Sequence, residues 1–211
     1  MKKILLFIFM ATAVALNAQS NGELWNQGND AYSMGQYQTA LDNYLQIADG
    51  GYESYKLYYN IGNAYYKLDE IGKAILYYEK ALKLAPDQVN VLNNYAYYLC
   101  EKGGNLKKAY QMSKTVIEKE PDNATYLDTF GWILYLMGKP EEAKPHFKRA
   151  MLYGGKDSPV ILDHYAEVLF ALGEYPLARV YWDKALKINN GQIKDLEERV
   201  SRRKLQMEKG K

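Results

Sequence analysis

The sequence is poor in the side chains that most often carry catalysis or bind metals, with one cysteine and two histidines among 211 residues. The cysteine, Cys100, cannot form an internal disulfide, so cysteine usage says nothing for or against an extracytoplasmic location. Since Cys100 lies far from the N-terminus, it cannot be the lipid-bearing residue of a bacterial lipoprotein. No metal-binding or cofactor-binding motif is present, and we expect neither a metal nor a cofactor.

The chain also has little net charge, with 27 basic and 25 acidic residues. Removal of residues 1–18 would take away two lysines and no acid, leaving 25 of each sign. A nucleic-acid partner favours a basic excess, so we expect no nucleic acid. The C-terminal tail "RVSRRKLQMEKGK" is locally basic, and we interpret it as a solvated helix end.

Long apolar runs are missing except at the N-terminus, where Lys2 and Lys3 precede "ILLFIFMATAVAL" and a polar "NAQSNGE" follows. This pattern predicts a secretory signal peptide at residues 1–18, cleaved after Ala18 or after Ala15. The alternative is an uncleaved membrane anchor, although the run is shorter than the ~20 residues that a spanning helix needs. We therefore expect export to the periplasm or cell envelope, with membrane contact only through an uncleaved signal segment.

Small residues recur along the rest of the chain with a period of 34 or 35. One series comprises Gly28, Gly62, Ala96, Gly131 and Ala166, and a second comprises Ala40, Ala74, Ala109, Ala143 and Ala178. Two independent series with one period predict five structural repeats. The predicted units are residues 21–54, 55–88, 89–123, 124–158 and 159–192.

Each unit has two stretches of apolar residues at helical spacing, separated by a short turn such as "GQY" or "GKP". Pro86 and Pro121 follow second stretches, where a proline stops a helix. Pro140 and Pro176 stand near the starts of second stretches, where the missing N–H costs nothing. The chain is therefore predicted to be all-α, with one helix-turn-helix in each unit.

This pattern resembles the tetratricopeptide repeat (TPR), whose signature has a period of 34. The second unit matches best, with the signature places filled by Tyr58, Ile61, Gly62, Tyr65, Ala74, Tyr78, Ala81 and Pro86. The resemblance implies a right-handed α-solenoid of five helix pairs. Residues 193–211 would then form a capping helix and polar tail, with Ile193, Leu196 and Val200 on the apolar face.

The resemblance implies two different roles for the residues of "GNAYY", residues 62–66. Gly62 is expected to face Ala74 and to let the two helices approach closely. Asn63 and Tyr66 belong instead to the inner surface with which the family grips extended peptides. Carried over unit by unit, this predicted groove comprises Trp25, Asn29, Tyr32, Tyr59, Asn63, Tyr66, Asn93, Tyr97, Cys100, Asp128, Trp132, Tyr135, Asp163, Glu167 and Phe170.

An enzyme is not expected. Cys100 would lie two units from His164, too far along a solenoid for a nucleophile and its base to meet. "GGK" at residues 154–156 lacks the neighbouring residues of a phosphate-binding loop. The sequence therefore predicts a non-catalytic scaffold for a peptide or protein partner, with self-association into an envelope or aerotolerance-type complex as the alternative.

Two segments resemble more specific relatives. "GGYESYKLYYNIGNAYYKLDEIGKAILYYEKALKLAP" is similar to the repeat region of the aerotolerance-operon (Bat) TPR proteins of Bacteroidota. "YLDTFGWILYLMGKPEEAK" and "ILDHYAEVLFALGEYPLARVYWDKA" are similar to terminal repeats of larger TPR proteins exported by the same bacteria. These resemblances imply an exported bacterial protein.

Overall fold

A computed structural model describes residues 20–209 of the chain, with side chains to residue 207. The predicted signal peptide, residues 1–18, lies outside the described residues. Within 20–209 the chain forms eleven α-helices, one short 3₁₀ helix and no strand. The helices are α1 (20–33), α2 (Tyr37–Asp49), α3 (Tyr55–Lys67), α4 (Ile71–Leu84), α5 (Val89–Glu101), α6 (Leu106–Lys119), α7 (Ala124–Leu136), α8 (Pro140–Leu152), α9 (Pro159–Ala171), α10 (Tyr175–Ile188) and α11 (Leu196–Lys209), with the 3₁₀ helix at Gly155–Asp157.

Local sequence explains where several helices begin. The side chain of Ser54 accepts a hydrogen bond from the backbone N–H of Leu57 at the start of α3. Asn123 caps α7 in the same way, and Ser158 caps α9 with Pro159 at its first position. These caps satisfy backbone N–H groups that have no partner inside the helix. The helix ends are therefore encoded by residues close by in the sequence.

The described part of the chain divides between Val91 and Leu92 into two compact units. In the described part of the first unit, α3 packs against α2 and α4. Its buried centre is formed by aromatic and aliphatic residues, among them Tyr44, Leu57, Ile61 and Tyr78. In the second unit, α7 packs with α8 and α9 with α10 around Leu127, Phe147, Tyr165 and Trp182. The predicted all-α architecture of packed helix pairs is confirmed.

The C-terminal helix α11 packs on α10 in the second unit. Leu196 and Val200 are buried in its core, while Ile193, in the preceding loop, is partly buried. Met207, near the end of α11, is also buried. An apolar stripe on α11 therefore covers the last helix pair, as the sequence pattern predicted.

Three glycines of the first series make room for an aromatic ring of the second helix, and the atoms nearest to a side chain at Gly62 would be those of Tyr78. A Cβ atom on Gly62 would lie 2.8 Å from Cε1 of the buried Tyr78 ring. The corresponding distances are 2.5 Å from Gly28 to Tyr44 and 2.7 Å from Gly131 to Phe147. Gly62, Gly28 and Gly131 are thus needed because an aromatic ring of the second helix fills the space that a side chain would occupy.

The third repeat has the complementary arrangement. Ala96 replaces the glycine, and the residue at the ring position is the small Ser113. Both Ala96 and Ser113 are fully buried. With no aromatic ring at position 113, a side chain larger than glycine is tolerated at position 96.

Changing Gly62 to alanine should lower the free energy of unfolding by about 1–3 kcal/mol, because the added methyl group overlaps the Tyr78 ring. Urea unfolding followed by circular dichroism measures the effect. Gly72→Ala is the matched control, since a Cβ on Gly72, on an exposed face of α4, meets nothing within 4 Å. That variant should be neutral or slightly more stable. Equal effects at the two positions would show that the ring does not demand the glycine.

Candidate functional site

The second unit contains a cavity of about 550 Å³ between helices and a loop. Its wall is formed by residues of α5, α7, α9 and α11 and by the loop at residues 192–195. Five predicted groove residues line it, namely Tyr97, Trp132, Tyr135, Asp163 and Glu167. The structure thus brings together side chains from three first helices of the predicted repeats.

Both the indole N–H and the ring of Trp132 have partners in the cavity wall. Its indole Nε1 donates a hydrogen bond to Oε1 of Glu101, with a distance of 2.9 Å. Its ring is parallel to His164, with 4.0 Å between centroids and 9° between planes, and it stacks on Tyr135 at 4.9 Å. Trp132 is half-buried. These contacts fix the orientation of the indole, while part of its surface stays accessible.

A buried histidine–aspartate pair lies behind Trp132. Nδ1 of His164 is 2.9 Å from Oδ1 of Asp128, and both side chains are buried. Burial disfavours the charged imidazole, but the charge of Asp128 and its hydrogen bond outweigh burial and hold the pKa of His164 above its ordinary value. Asp128 was predicted as a groove residue. The structure places its buried side chain against His164, and Asp128 does not line the cavity.

The carboxylates of Asp163 and Glu167 are paired with two arginines from the C-terminal helix. Arg199 donates to both oxygens of Asp163, at 3.1 and 2.7 Å. Arg203 donates to Oε2 of Glu167 at 2.8 Å, and Nε1 of Trp182 donates to Asp163 at 3.0 Å. Both carboxylates are only 3% exposed. The acidic end of the predicted groove is therefore neutralised by the chain itself.

These arginines correct the interpretation of the tail as a solvated helix end. Arg199 and Arg203 are spaced i, i+4 on α11 and face Asp163 and Glu167, which are spaced i, i+4 on α9. Such spacing places each pair on one face of its helix. The matched spacings of the basic and acidic pairs were the signal in the sequence. Sequence reasoning missed Glu101, His164, Arg199 and Arg203 as residues of this site.

The other predicted residues of the second unit lie outside the cavity wall. Phe170 is half-buried, and the guanidinium carbon of Arg203 lies 4.7 Å from the centre of its ring. Asn93 is buried, and its Oδ1 has no hydrogen-bond partner among the described residues. Cys100 is also buried, and burial raises the pKa of its thiol to about 12. The Cys100 thiol is thus protonated at neutral pH and is not a nucleophile.

The first unit has a smaller cavity of about 130 Å³, lined by Asn29, Tyr32, Ser33, Tyr44, Asn60 and Asn63. The hydroxyl of Tyr44 donates to Oδ1 of Asn29 at 2.8 Å, and that of Tyr78 donates to Oδ1 of Asn63 at 2.7 Å. Asn63 is buried, whereas Asn29 is exposed. The two asparagines therefore hold tyrosines of the second helices, and Asn63 contributes to the packing of α3 on α4.

The remaining predicted residues of the first unit are half-buried aromatics outside this cavity. The ring of Trp25 meets that of Tyr44 edge-on at 6.0 Å, and the rings of Tyr59 and Tyr78 lie 6.3 Å apart. Tyr66, near the end of α3, is also half-buried. The rings of Trp25 and Tyr59 thus contact tyrosines of the second helices, Tyr44 on α2 and Tyr78 on α4.

Neither a metal site nor a membrane-spanning helix is found among the described residues. Within the described part of the chain, no three His, Cys, Asp or Glu side chains are grouped as a metal site requires. None of the helices in that same part combines the length and the apolar character needed to cross a membrane.

Comparisons with known proteins support the observed fold of packed helix pairs. Residues 55–88 match the family model of the tetratricopeptide repeat. TTC0263, a thermophilic TPR protein of Thermus thermophilus, has a similar fold, with a TM-score of 0.71 at 19% identity over 88% of this chain and 99% of that chain. PilF of Pseudomonas aeruginosa has a TM-score of 0.69 at 19% identity over 92% of each chain.

A third similar structure is MamA of MSR-1, with a TM-score of 0.62 at 19% identity over 82% of this chain and 98% of that chain. No curated protein matches the chain in sequence. At these identities the solved structures establish the fold and not the function. The chain therefore has a TPR-type fold of packed helix pairs, with a tetratricopeptide repeat at residues 55–88.

Proposed function

We propose that the chain is a non-catalytic scaffold that binds a peptide or protein partner in the cavity between α5, α7, α9 and α11. The observation that carries the proposal is the cavity of about 550 Å³, whose wall presents the rings of Tyr97, Trp132 and Tyr135. Cavities of this size hold several side chains of a ligand, and aromatic residues are enriched where proteins bind partners. Helical repeat folds commonly use such surfaces for protein recognition.

Changing Trp132 to alanine should weaken capture of the partner at least tenfold, because aromatic anchors carry a large share of binding energy. The mature chain, residues 19–211, is immobilised, exposed to extract of the cell envelope and cross-linked, and bound proteins are quantified by mass spectrometry. Tyr52→Ala is the control, since this exposed tyrosine lies in the first unit, outside the cavity.

Two outcomes would contradict this proposal. The first is equal recovery of every captured protein with Trp132→Ala and with Tyr52→Ala. The second is a loss of capture that merely follows the fraction of Trp132→Ala that is unfolded in a melting curve, since Trp132 would then be a packing residue. Recovery of a second copy of the chain through the same cavity would identify self-assembly as the function.

We further propose that the chain acts in the periplasm or cell envelope and is related to exported TPR proteins of Bacteroidota, its first half being similar to the Bat proteins. The support is the N-terminal sequence, with Lys2 and Lys3 before an apolar run and small residues at positions 13, 15 and 18. Protein recovered from the periplasm of a suitable host should have an intact mass that begins at Gln19 or Leu16. A full-length chain retained in the inner membrane would contradict export.

A further inference from the structure

The charges of the cavity wall do not cancel, and the excess falls on Glu101. Three carboxylates and three basic groups of the wall balance one another, namely Asp163, Glu167 and Asp195 against Lys194, Arg199 and Arg203. The remaining basic residue of the wall, His164, is paired with the buried Asp128 behind it. Glu101 remains. Its side chain is exposed, and it accepts a hydrogen bond from the neutral indole N–H of Trp132. The charge of Glu101 contributes to the raised pKa of His164, but the ion-pair contact of His164 within residues 20–207 is with Asp128.

An anionic ligand would have to compete with existing bonds for the two arginines. Nη1 and Nη2 of Arg199 donate to Asp163, and Nη1 also approaches Glu167. Nε and Nη2 of Arg203 donate to Glu167, while Nη1 donates to Gln206. Freeing either guanidinium would leave a carboxylate that is 3% exposed without its counter-charge. These arginines therefore offer little to a carboxylate or phosphate.

Beside the cavity, Arg203 shows how a carboxylate and an aromatic ring together hold a guanidinium group. Arg203 binds a carboxylate of α9 and at the same time lies over the ring of Phe170, at 4.7 Å from its centre. A planar guanidinium combines both contacts because it donates in a fork and stacks on aromatic faces. On α5, Tyr97 and Glu101 are spaced i, i+4, so a ring and a carboxylate again share one helix face beside the cavity.

We propose that the cavity binds an arginine side chain of the partner, with its guanidinium on the carboxylate of Glu101, against the ring of Tyr97 and beside the indole of Trp132. This inference rests on the proposed function and names the chemistry of the partner. The partner is thus a protein segment with an accessible arginine at the contact. An arginine is expected to bind more tightly than a lysine, since the ammonium group cannot form the fork or stack as a plane.

The test uses the whole mature chain and three blocked hexapeptides that differ only in a central arginine, glutamine or glutamate. Binding is followed by the NMR signal of the Trp132 indole N–H, assigned with Trp132→Phe. The arginine peptide should shift this signal in a saturable way, and its affinity should fall as salt is added. The glutamine and glutamate peptides should bind at least tenfold more weakly.

The decisive variant is Glu101→Gln, which removes the charge but keeps an amide oxygen for the indole N–H. It should weaken binding of the arginine peptide at least tenfold without changing the melting temperature. Glu118→Gln is the matched control, because Glu118 is an exposed glutamate on α6 outside the cavity, and binding should be unchanged.

Equal binding of the three peptides, or unchanged binding by Glu101→Gln, would overturn the inference about arginine while leaving a cavity that binds peptides. Absence of any shift with all three peptides would also overturn it. The proposed scaffold function is judged separately, by capture of the natural partner with and without Trp132. The two proposals can therefore fail independently.

Discussion

Replacing Arg199 by alanine should lower the free energy of unfolding by about 3–5 kcal/mol, because it removes one member of a largely buried ion pair. The Asp163 side chain is 4% exposed, and Arg199 supplies hydrogen bonds to both of its oxygens. After the change, Asp163 would keep only the indole N–H of Trp182. Urea unfolding of the mature chain, followed by circular dichroism, measures the difference.

The neighbouring Arg202 provides a matched control on the same helix. Its side chain is 63% exposed and lies 3.7 Å from Glu198 on the same helix. Exposed pairs of this kind contribute little, so Arg202→Ala should change stability by less than about 1 kcal/mol. If Arg199→Ala were equally mild, the contact between α9 and α11 would not depend on charge. Adding Asp163→Asn to Arg199→Ala should recover part of the lost stability, because the unpaired charge is then gone.

Truncating Trp182 to alanine should also cost about 3–5 kcal/mol, since a large ring is removed from the core and the cavity cannot fully collapse. Trp182 is fully buried and belongs to the core of the second unit. Its ring lies 5.8 Å from that of Phe170, and its N–H donates to the buried Asp163. The melting temperature should fall by at least several degrees.

Trp182→Phe separates the two contributions of this side chain. It keeps most of the ring but removes the donor to Asp163, so we expect a smaller loss of about 1–3 kcal/mol. Combined with Arg199→Ala, it should show non-additive effects, because both residues bind the same carboxylate. Strict additivity of the two changes would contradict the view that Asp163 joins the core to the C-terminal helix.

The helix pairs could be predicted because their signals are local and repeated. The alternation of apolar and polar residues sets which face of each helix is buried, and Pro86, Pro121, Pro140 and Pro176 mark the helix ends. In the structure α4 ends at Leu84 and α6 at Lys119, both two residues before a proline, whereas α8 begins at Pro140. Such signals act over a few residues, so no knowledge of the tertiary structure is needed to interpret them.

The glycine positions could be predicted, but their packing partners could not. A small residue every 34 or 35 positions indicates a close approach between helices. Its partner depends on the rotation of one helix against the other, which places the ring of Tyr78 over Gly62. The same rotation brings the Tyr78 hydroxyl to Asn63. Asn63 therefore stabilises the helix pair, a role that its position in the repeat did not reveal.

By itself, the sequence determined the class of fold, the repeat and its period, because these depend on side-chain spacing within one or two helices. It also determined that acidic residues collect near the end of the repeats. Only the tertiary structure decided what those residues do. Asp163 and Glu167 meet Arg199 and Arg203 across 36 residues of chain, and Glu101 receives the indole N–H of Trp132 from another helix. Partners so far apart are selected by how the helices pack, since burying a carboxylate is tolerable only where packing brings a counter-charge or a donor to it.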